Sequence, residues 1–519
     1  MTNYPKQMYK QLLEETAKAE KLAQENRELQ QEVNRLERKI VMLEENLDAK
    51  IEAAIQKATK PLIEQNNQNE KIINAQRDEI VRLKAVINKD SSNSSKPPSS
   101  NGFKKVIANS REQSGKKTGG QKGHPGRSLC KPKNWDELIR NGTARVEDHT
   151  NGNRAYESRY VVDINISVQW TEHRYSRGSK ELHGIPPIRY GERLQALALL
   201  LSEEEYVGQE RVCEFIQILS GGQIHLSEGW LNKVIQRFSG RLEGELTKIT
   251  EDLLNGTVIY TDETPMKTTE WMEPKKGSDT ATLIKSQKTS EMSYIRVHSN
   301  EHTTLFTVNR HKDMEGVKRD GILTKSHGII SHDHDKKYYH YGNGHATCNG
   351  HLGRELKGIS DHYQCTWAKE MRSFMNEMNA YKKVDQEGKT PPPYGCDPKQ
   401  FEIFSERYDA LLNRGILVNE KVTNKYGKNE LRKILKRLRS YKDAYLLFLK
   451  NYEAPFTNNL AERDLRPCKN KQKISGCFRS WSGIVAFARI RSFTSTVRKR
   501  NLNMTDAIIS VIRGIPVLG

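Results

Sequence analysis

Three carboxylates are placed where they could do chemistry. Residues 256–264 read GTVIYTDET, a short buried strand ending in two acids, with Asp262 just past the apolar run. Residues 328–333 repeat the theme, with Asp333 just past Ile329 and Ile330. Glu462 lies in TNNLAERDLRP (457–467), helical in character and closely followed by Arg463 and Arg466. Carboxylates gathered from separate elements repel one another unless a cation sits between them. Hard oxygen ligands suit Mg²⁺ or Mn²⁺. Two such ions about 4 Å apart activate an attacking oxygen and stabilise a leaving oxygen in phosphodiester displacement. Spacing alone leaves the choice of acids open, because the chain has 65 Asp and Glu. Asp335 competes with Asp333, which is preferred for its place beside the strand.

Nearby residues have plainer readings. Glu263 should point away from Asp262 if the strand continues, which makes it structural. His345, Cys348 and His351 recur at i, i+3, i+6 with Cys365 nearby. They are either a zinc site or a helix face packed beneath the carboxylates. His332 and His334 flank Asp333 and either orient its carboxylate or contact substrate, or are polar loop residues, the default reading. Arg463 and Arg466 are either phosphate-neutralising or solvated helix surface.

These residues need elements to position them. Alternating segments at 281–285, 293–298 and 304–309, a crossover helix near 315–323 and a last strand before Asp333 predict an ordered α/β arrangement. Residues 367–381 and 428–450 have helical patterns. Upstream, residues 156–175 alternate polar and apolar with period 2, which predicts a strand. Residues 211–219 predict a helix broken by Ser220-Gly221-Gly222. Ser227 then caps a helix running to about Phe238. The pair fits a helix-turn-helix exposing Asn232, Lys233, Gln236 and Arg237, or an ordinary helical region. Near the C-terminus, Trp481, Phe487 and Phe493 should pack inward, with the interleaved arginines facing out.

At the N-terminus, Leu22, Leu29, Leu36 and Leu43 occupy heptad d positions. Asn26, Val33, Ile40 and Leu47 occupy a. That pattern predicts a parallel two-stranded coiled coil, interrupted at Pro61, with a short repeat after it at Ile73, Ile80, Leu83 and Ile87.

The chain has 519 residues, enough for several domains, and a formal net charge of +20. Residues 103–133 hold nine Lys/Arg and one acid, and residues 463–500 hold eleven and one, which is 18 of the 20 charges. Residues 1–90 are net neutral. A concentrated basic excess favours nucleic acid as the partner. Residues 90–128 are dominated by Ser, Asn, Gly, Pro and Lys and predict a core-less basic linker that can lie along phosphates. No apolar run approaches a membrane span, and the first residues lack the apolar stretch of a secretory signal. Seven scattered cysteines read as reduced thiols, so a cytoplasmic protein is expected.

Several ordered motifs resemble the transposases of the insertion sequence 66 family. They are the coiled coil, NSSKPPSS (93–100), QKGHPG (121–126), YTDET (260–264), SHDHDKKYYHYG (331–342), HATCNGHLGREL (345–356) and TNNLAERDLRP. The resemblance implies a ribonuclease-H-like core whose Asp-Asp-Glu triad carries over to Asp262, Asp333 and Glu462, with two Mg²⁺ or Mn²⁺ ions. It also implies a helical insertion before Glu462, terminal inverted repeats and target DNA as partners, and small accessory proteins of the same bacterial element. The sequence departs from the family in two places. Only Cys130 remains where relatives carry a Cys-rich finger, and His334-Asp335 replaces the usual Gly-Tyr after the second acid.

The expected architecture is multidomain α+β. A coiled-coil dimerisation region (1–89) precedes a basic linker (90–135) and a small β module (136–180). A helix-turn-helix-like region (181–250) leads into the catalytic domain (251–519), with its helical insertion at about 366–450. The basic residues expected on DNA are Lys104, Lys105, Lys116, Lys117, Lys122, Lys233, Arg237, Arg463 and Arg466. The alternative function is a non-catalytic coiled-coil DNA-binding protein, such as an inactive transposase or a repressor.

Overall fold

The computed structural model describes residues 4–94, 130–150, 157–164, 166–180, 183, 186–268, 291–389 and 393–519. The strand expected at 281–285 and the lysines 104, 105, 116, 117 and 122 lie outside them. The chain divides into two units, residues 1–88 with 424–426, and the rest.

The first unit is built on one helix, α1 (Tyr4–Ile87), which runs unbroken through Pro61. The interruption expected there is therefore corrected. Proline removes one intrahelical bond and frees the carbonyl four residues earlier, and on an exposed helix water satisfies that carbonyl. The heptad stripe is exposed: Leu29 is 63% exposed, Leu36 50% and Leu43 60%.

The second unit starts with a short helix, α2 (Trp135–Arg140). The strand expected across 156–175 does not form among its described residues. Val162, Ile164 and Trp170 are exposed there. Period-2 alternation makes a strand only where a neighbouring strand accepts its hydrogen bonds.

Four helices follow: α3 (Glu192–Leu199), α4 (Gln209–Leu219), α5 (Glu228–Arg241) and α6 (Glu243–Leu254). The turn between α4 and α5 uses Gly221 and Gly222 at φ +59° and +82°, a region that favours glycine. Ser227 caps α5 by accepting from the Trp230 amide. Leu231, Val234, Ile235 and Phe238 are buried on one face of α5, while Lys233 and Arg237 are exposed on the other.

The sheet has five strands: β1 (Val258–Thr268), β2 (Glu291–Ser299), β3 (Thr304–Asn309), β4 (Ile329–His332) and β5 (Gly344–Thr347). Their order is β3-β2-β1-β4-β5. β1 is antiparallel to β2 and parallel to β4; β2–β3 is antiparallel and β4–β5 parallel. A crossover helix, α7 (Met314–Asp320), precedes β4. β1 pairs with β4 only over Val258–Tyr260, then continues beside β2 alone. Pro265 falls in that one-sided stretch, where its missing N–H need cost no ladder bond.

After β5 the chain is helical: α8 (Asn349–Tyr363), α9 (Thr366–Gln386), α10 (Pro398–Lys421), α11 (Lys425–Ser440) and α12 (Lys442–Lys450). It ends in α13 (Asn459–Asp464), α14 (Arg466–Ser475), α15 (Trp481–Lys499) and α16 (Met504–Arg513).

Three apolar cores hold the second unit. The first joins α3–α6 to Ile259, Leu305 and Ile330 of the sheet and to α15 and α16. Packing is therefore continuous across the boundary expected near 250, because α15 is apolar on more than one side and lies between the two groups. The second core lies mainly among α8–α12, centres on residues such as Trp367, Tyr408 and Phe448, and meets the sheet at Ala346 and Ile329. The third packs α13, α14 and Phe487 of α15 on the opposite sheet face, against Met266, Ile295 and Val297.

Candidate active site

β1 places two adjacent acids on opposite sheet faces. Asp262 pairs in register with Val297 and Glu263 with Arg296. Asp262 thus shares the face of Met266, Ile295 and Val297, where α13 and α14 pack. The strand expected to end at Asp262 and Glu263 does not end there, because β1 continues to Thr268 beside β2. What ends near Asp262 is the pairing with β4. The last partners are Tyr260 and Ser331; that register, carried two residues on, sets Asp262 of β1 beside Asp333, which lies just past the end of β4.

Glu263 is structural, as expected. Its carboxylate lies 2.8 Å from Arg296 Nη2 and 2.5 Å from Lys337 Nζ. All three side chains are buried. Arg296 also pairs with Asp320. Asp335 accepts from the Lys337 amide and lies 3.0 Å from its Nζ. It belongs to this ion cluster, so of the two rival acids only Asp333 is brought to Asp262.

Glu462 arrives on α13, whose start is fixed by Asn458. This residue is fully buried. Its Nδ2 donates to the Thr261 carbonyl at 2.8 Å, its Oδ1 accepts from Ser331 Oγ at 3.3 Å, and its backbone amide donates to Cys348 Sγ at 3.2 Å. One side chain therefore ties α13 to β1 and β4. Its signal in the sequence was faint, an Asn-Asn pair before a helix that reads as a turn or cap.

The three acids feel one another. Loss of solvent, then the charge of Asp333, pushes the Asp262 carboxyl up to about 7, with Glu462 adding to the effect. Lys469 on α14 works in the opposite sense. It follows Glu462 by seven residues, two helical turns, and sequence reasoning passed over it.

His351 and Cys348 join Asp333 and Glu462. One ligand atom from each of the four lies within 4.8 Å of the others. His351 Nδ1 is 2.9 Å from Asp333 Oδ1 and 3.6 Å from Glu462 Oε1. Burial lowers the pKa of His351, but contact with Asp333 and Cys348 outweighs it and pushes the ring up to about 10. Arg354, one turn further along α8, reaches Glu462 at 3.5 Å. The zinc trio considered from spacing is not assembled. His345 instead lies against His332 and Tyr339, and Cys365 is buried in the helical core. A strand-to-helix junction separates His345 from His351, so i, i+3, i+6 spacing does not put them on one face.

His332 and His334 are not loop polarity. His332 is fully buried among Tyr338, Tyr339 and His345, and burial pushes it down to about 4. His334 meets the Tyr445 hydroxyl at 2.9 Å, and burial holds it well below its usual value.

Lys233, Arg237, Arg463 and Arg466 are all exposed. Much of the basic C-terminal segment is not. Arg491 is buried against Glu204, which also takes Arg498, and Lys499 pairs with Asp464 at 2.6 Å. Arg489 pairs with Glu243, and Arg500 with Asp252. The expectation of outward-facing arginines on α15 is therefore corrected for buried Arg491 and half-buried Arg489, while Arg498 does face outward. Phe487 and Phe493 are buried as expected. Half-buried Trp481 lies beneath Arg310.

Fold and site together define a mixed α+β protein with carboxylates converging on one sheet face where the β1–β4 pairing ends. A sequence model of the Transposase IS66 family matches residues 187–486, more than half of the chain, and the protein belongs to that family. Membership makes DNA its expected partner class. Curated proteins and solved structures yielded no match. No helix among the described residues is long and apolar enough to cross a membrane.

Proposed function

We propose that this protein is a DNA transposase that hydrolyses phosphodiester bonds at the ends of an insertion sequence and joins the freed 3′ ends to target DNA. The observation that carries the proposal is the convergence of Asp262, Asp333 and Glu462 from β1, the end of β4 and α13. The sheet order β3-β2-β1-β4-β5, with a central β1 between antiparallel and parallel neighbours, supports a ribonuclease-H-like reading of the core.

The acids fit a divalent cation. Asp333 Oδ1 is buried without an aligned hydrogen-bond partner, and Asp262 is raised first by burial and then by the charge of Asp333; a cation relieves both. Asp262, Asp333 and Glu462 would hold Mg²⁺ or Mn²⁺, two ions per site. When bound, these ions supply Lewis acidity to the attacking and leaving oxygens. The chain's own residues do the rest. Asn458 sets the approach of Glu462, Arg354 orients its carboxylate, and Lys469 offsets the local negative charge. The exposed Lys233, Arg237, Arg463 and Arg466, with Lys104, Lys105, Lys116, Lys117 and Lys122 of the linker, would bind DNA phosphates. α1 would pair protomers.

The test is cleavage of labelled end DNA with Mg²⁺, with the element's accessory proteins supplied. Wild type should cut and join, whereas Asp262→Asn should bind equally and cut at least about 10³-fold more slowly, the scale of losing a key transition-state contact. Binding without cutting by both proteins would overturn the enzyme reading and leave a DNA-binding protein.

A further inference from the structure

We propose that Asp333, Cys348, His351 and Glu462 form a site for one borderline-soft divalent cation of the zinc class, which competes with the catalytic cations for two of the carboxylates. The competition rests on the reading of Asp333 and Glu462 as catalytic acids; the binding site does not.

The donor set carries the inference. Two carboxylate oxygens, an imidazole nitrogen and a thiol sulfur converge within 4.8 Å of one another. Mg²⁺ gains nothing from sulfur, whereas thiolate and imidazole favour zinc. Zinc bonds of about 2.0–2.3 Å place tetrahedral ligands about 3.3–3.8 Å apart, so side-chain rotations of about an ångström close the group. Two of the four atoms have only each other, in an ion pair without hydrogen-bond alignment. Asp333 Oδ1 and His351 Nδ1 are both buried, lie 2.9 Å apart and are not aligned to hydrogen-bond. The His351 side chain is only 8% exposed, so water is a poor substitute. A cation between them satisfies both.

The surroundings suit a sulfur ligand. Cys348 is the N-cap of α8, where the helix dipole favours negative charge, and its sulfur accepts the Asn458 amide at 3.2 Å. Such an outer-shell donor steadies a sulfur ligand. On binding, the Cys348 thiol and the His351 imidazolium each lose a proton to solvent, and the cation takes the freed sulfur and nitrogen lone pairs. Asp262 is outside the group, which separates this mode of occupancy from the catalytic one.

The test uses the full-length, metal-stripped protein with Co²⁺ as a spectroscopic stand-in for zinc. Wild type should take one Co²⁺ per chain, with a thiolate-to-cobalt charge-transfer band and the strong visible bands of four-coordinate cobalt. Zn²⁺, but not Mg²⁺, should displace it. Cys348→Ser should lose the charge-transfer band. His351→Gln should weaken affinity by at least the about 10–100-fold typical of losing an outer-shell partner. Asp262→Asn should keep the band. In the Mg²⁺ cleavage assay, one equivalent of Zn²⁺ should inhibit wild type.

A wild-type protein without the band overturns the site, and that measurement needs no variant to fold. A band that survives Cys348→Ser, or is lost in a folded Asp262→Asn protein, overturns it as well. A band without any Mg²⁺-dependent cleavage supports the site and overturns the nuclease reading. Cleavage without a band does the reverse. Circular dichroism melts confirm that each variant is folded.

Discussion

Adjacent residues on one strand carry opposite duties here, and mutation should separate them. Glu263 neutralises buried Arg296 and Lys337, so Glu263→Ala leaves uncompensated buried charge. Breaking such a pair from one side costs about 3–5 kcal/mol, which urea denaturation should read directly. Asp262→Asn should instead spare stability and remove cleavage, because Asp262 sits among like charges. Equal destabilisation by the two would contradict the face assignment. Asn458 is the other single residue with large leverage. Asn458→Ala removes the bond to Thr261 and strands buried Ser331, for about 1–3 kcal/mol. Because Glu462 then loses its fixed approach, kcat should fall about 10²-fold, the scale expected of a 1 Å misplacement. A turnover rate unchanged in the folded variant would show that Asn458 does not position Glu462.

At the scale of elements, the question is how helices α8–α12 return the chain to α13 in register. Lys382 of α9 does part of this. Its Nζ donates to the carbonyls of Tyr452 and Ala454, at 2.6 and 2.8 Å, just before the segment that leads to Asn458. Burial pushes Lys382 down to about 8. A lysine lowered in the fold binds its proton less well there than in the unfolded chain. Its charge therefore costs stability fully below about pH 8, and that cost is relieved as pH rises toward the unfolded value near 10.5. Stability contributed at this position should rise between pH 8 and 10, and Lys382→Met should flatten that rise. Urea midpoints at the two pH values, compared between wild type and variant, check it; an identical pH dependence would remove Lys382 from this role. The elements themselves were largely legible. α4, its glycine turn and the Ser227 cap, the crossover helix before β4, and strands β2 and β3 all follow from local pattern and turn chemistry. The failures, at Pro61 and across 156–175, came where exposure or the lack of a partner strand decided the outcome.

For the whole molecule, the exposed heptad stripe of α1 is a large apolar surface with strong periodicity. Burial against a second copy would supply the association energy. Light scattering of the full-length protein should give a dimer or higher oligomer, and Leu29→Asp with Leu36→Asp should lower the mass to that of one chain. A wild-type monomer at high concentration would end the coiled-coil reading. The charge excess also takes a sharper form at this scale. The basic residues of α15 and Arg500 just after it neutralise Glu204, Glu243, Asp252 and Asp464 within the fold. Exposed positive charge on the described C-terminal segment is therefore concentrated near Glu462, at residues such as Arg463 and Arg466.

Sequence alone determined the family, the long N-terminal heptad helix and the choice of three acids on which the proposed function rests, because motifs and periodicities are local. Tertiary structure decided what depends on register and burial. It set Asp262 beside Asp333 through the parallel pairing of β1 and β4, and turned Asp335 and Glu263 into a separate ion cluster. It also buried Arg491, which the interleaved pattern assigned to the surface. Cys348 and His351 joined the acids for the same reason. The N-terminal end of α8 is delivered to the end of β4 by a strand connection whose geometry is non-local, and no spacing in the chain records that distance.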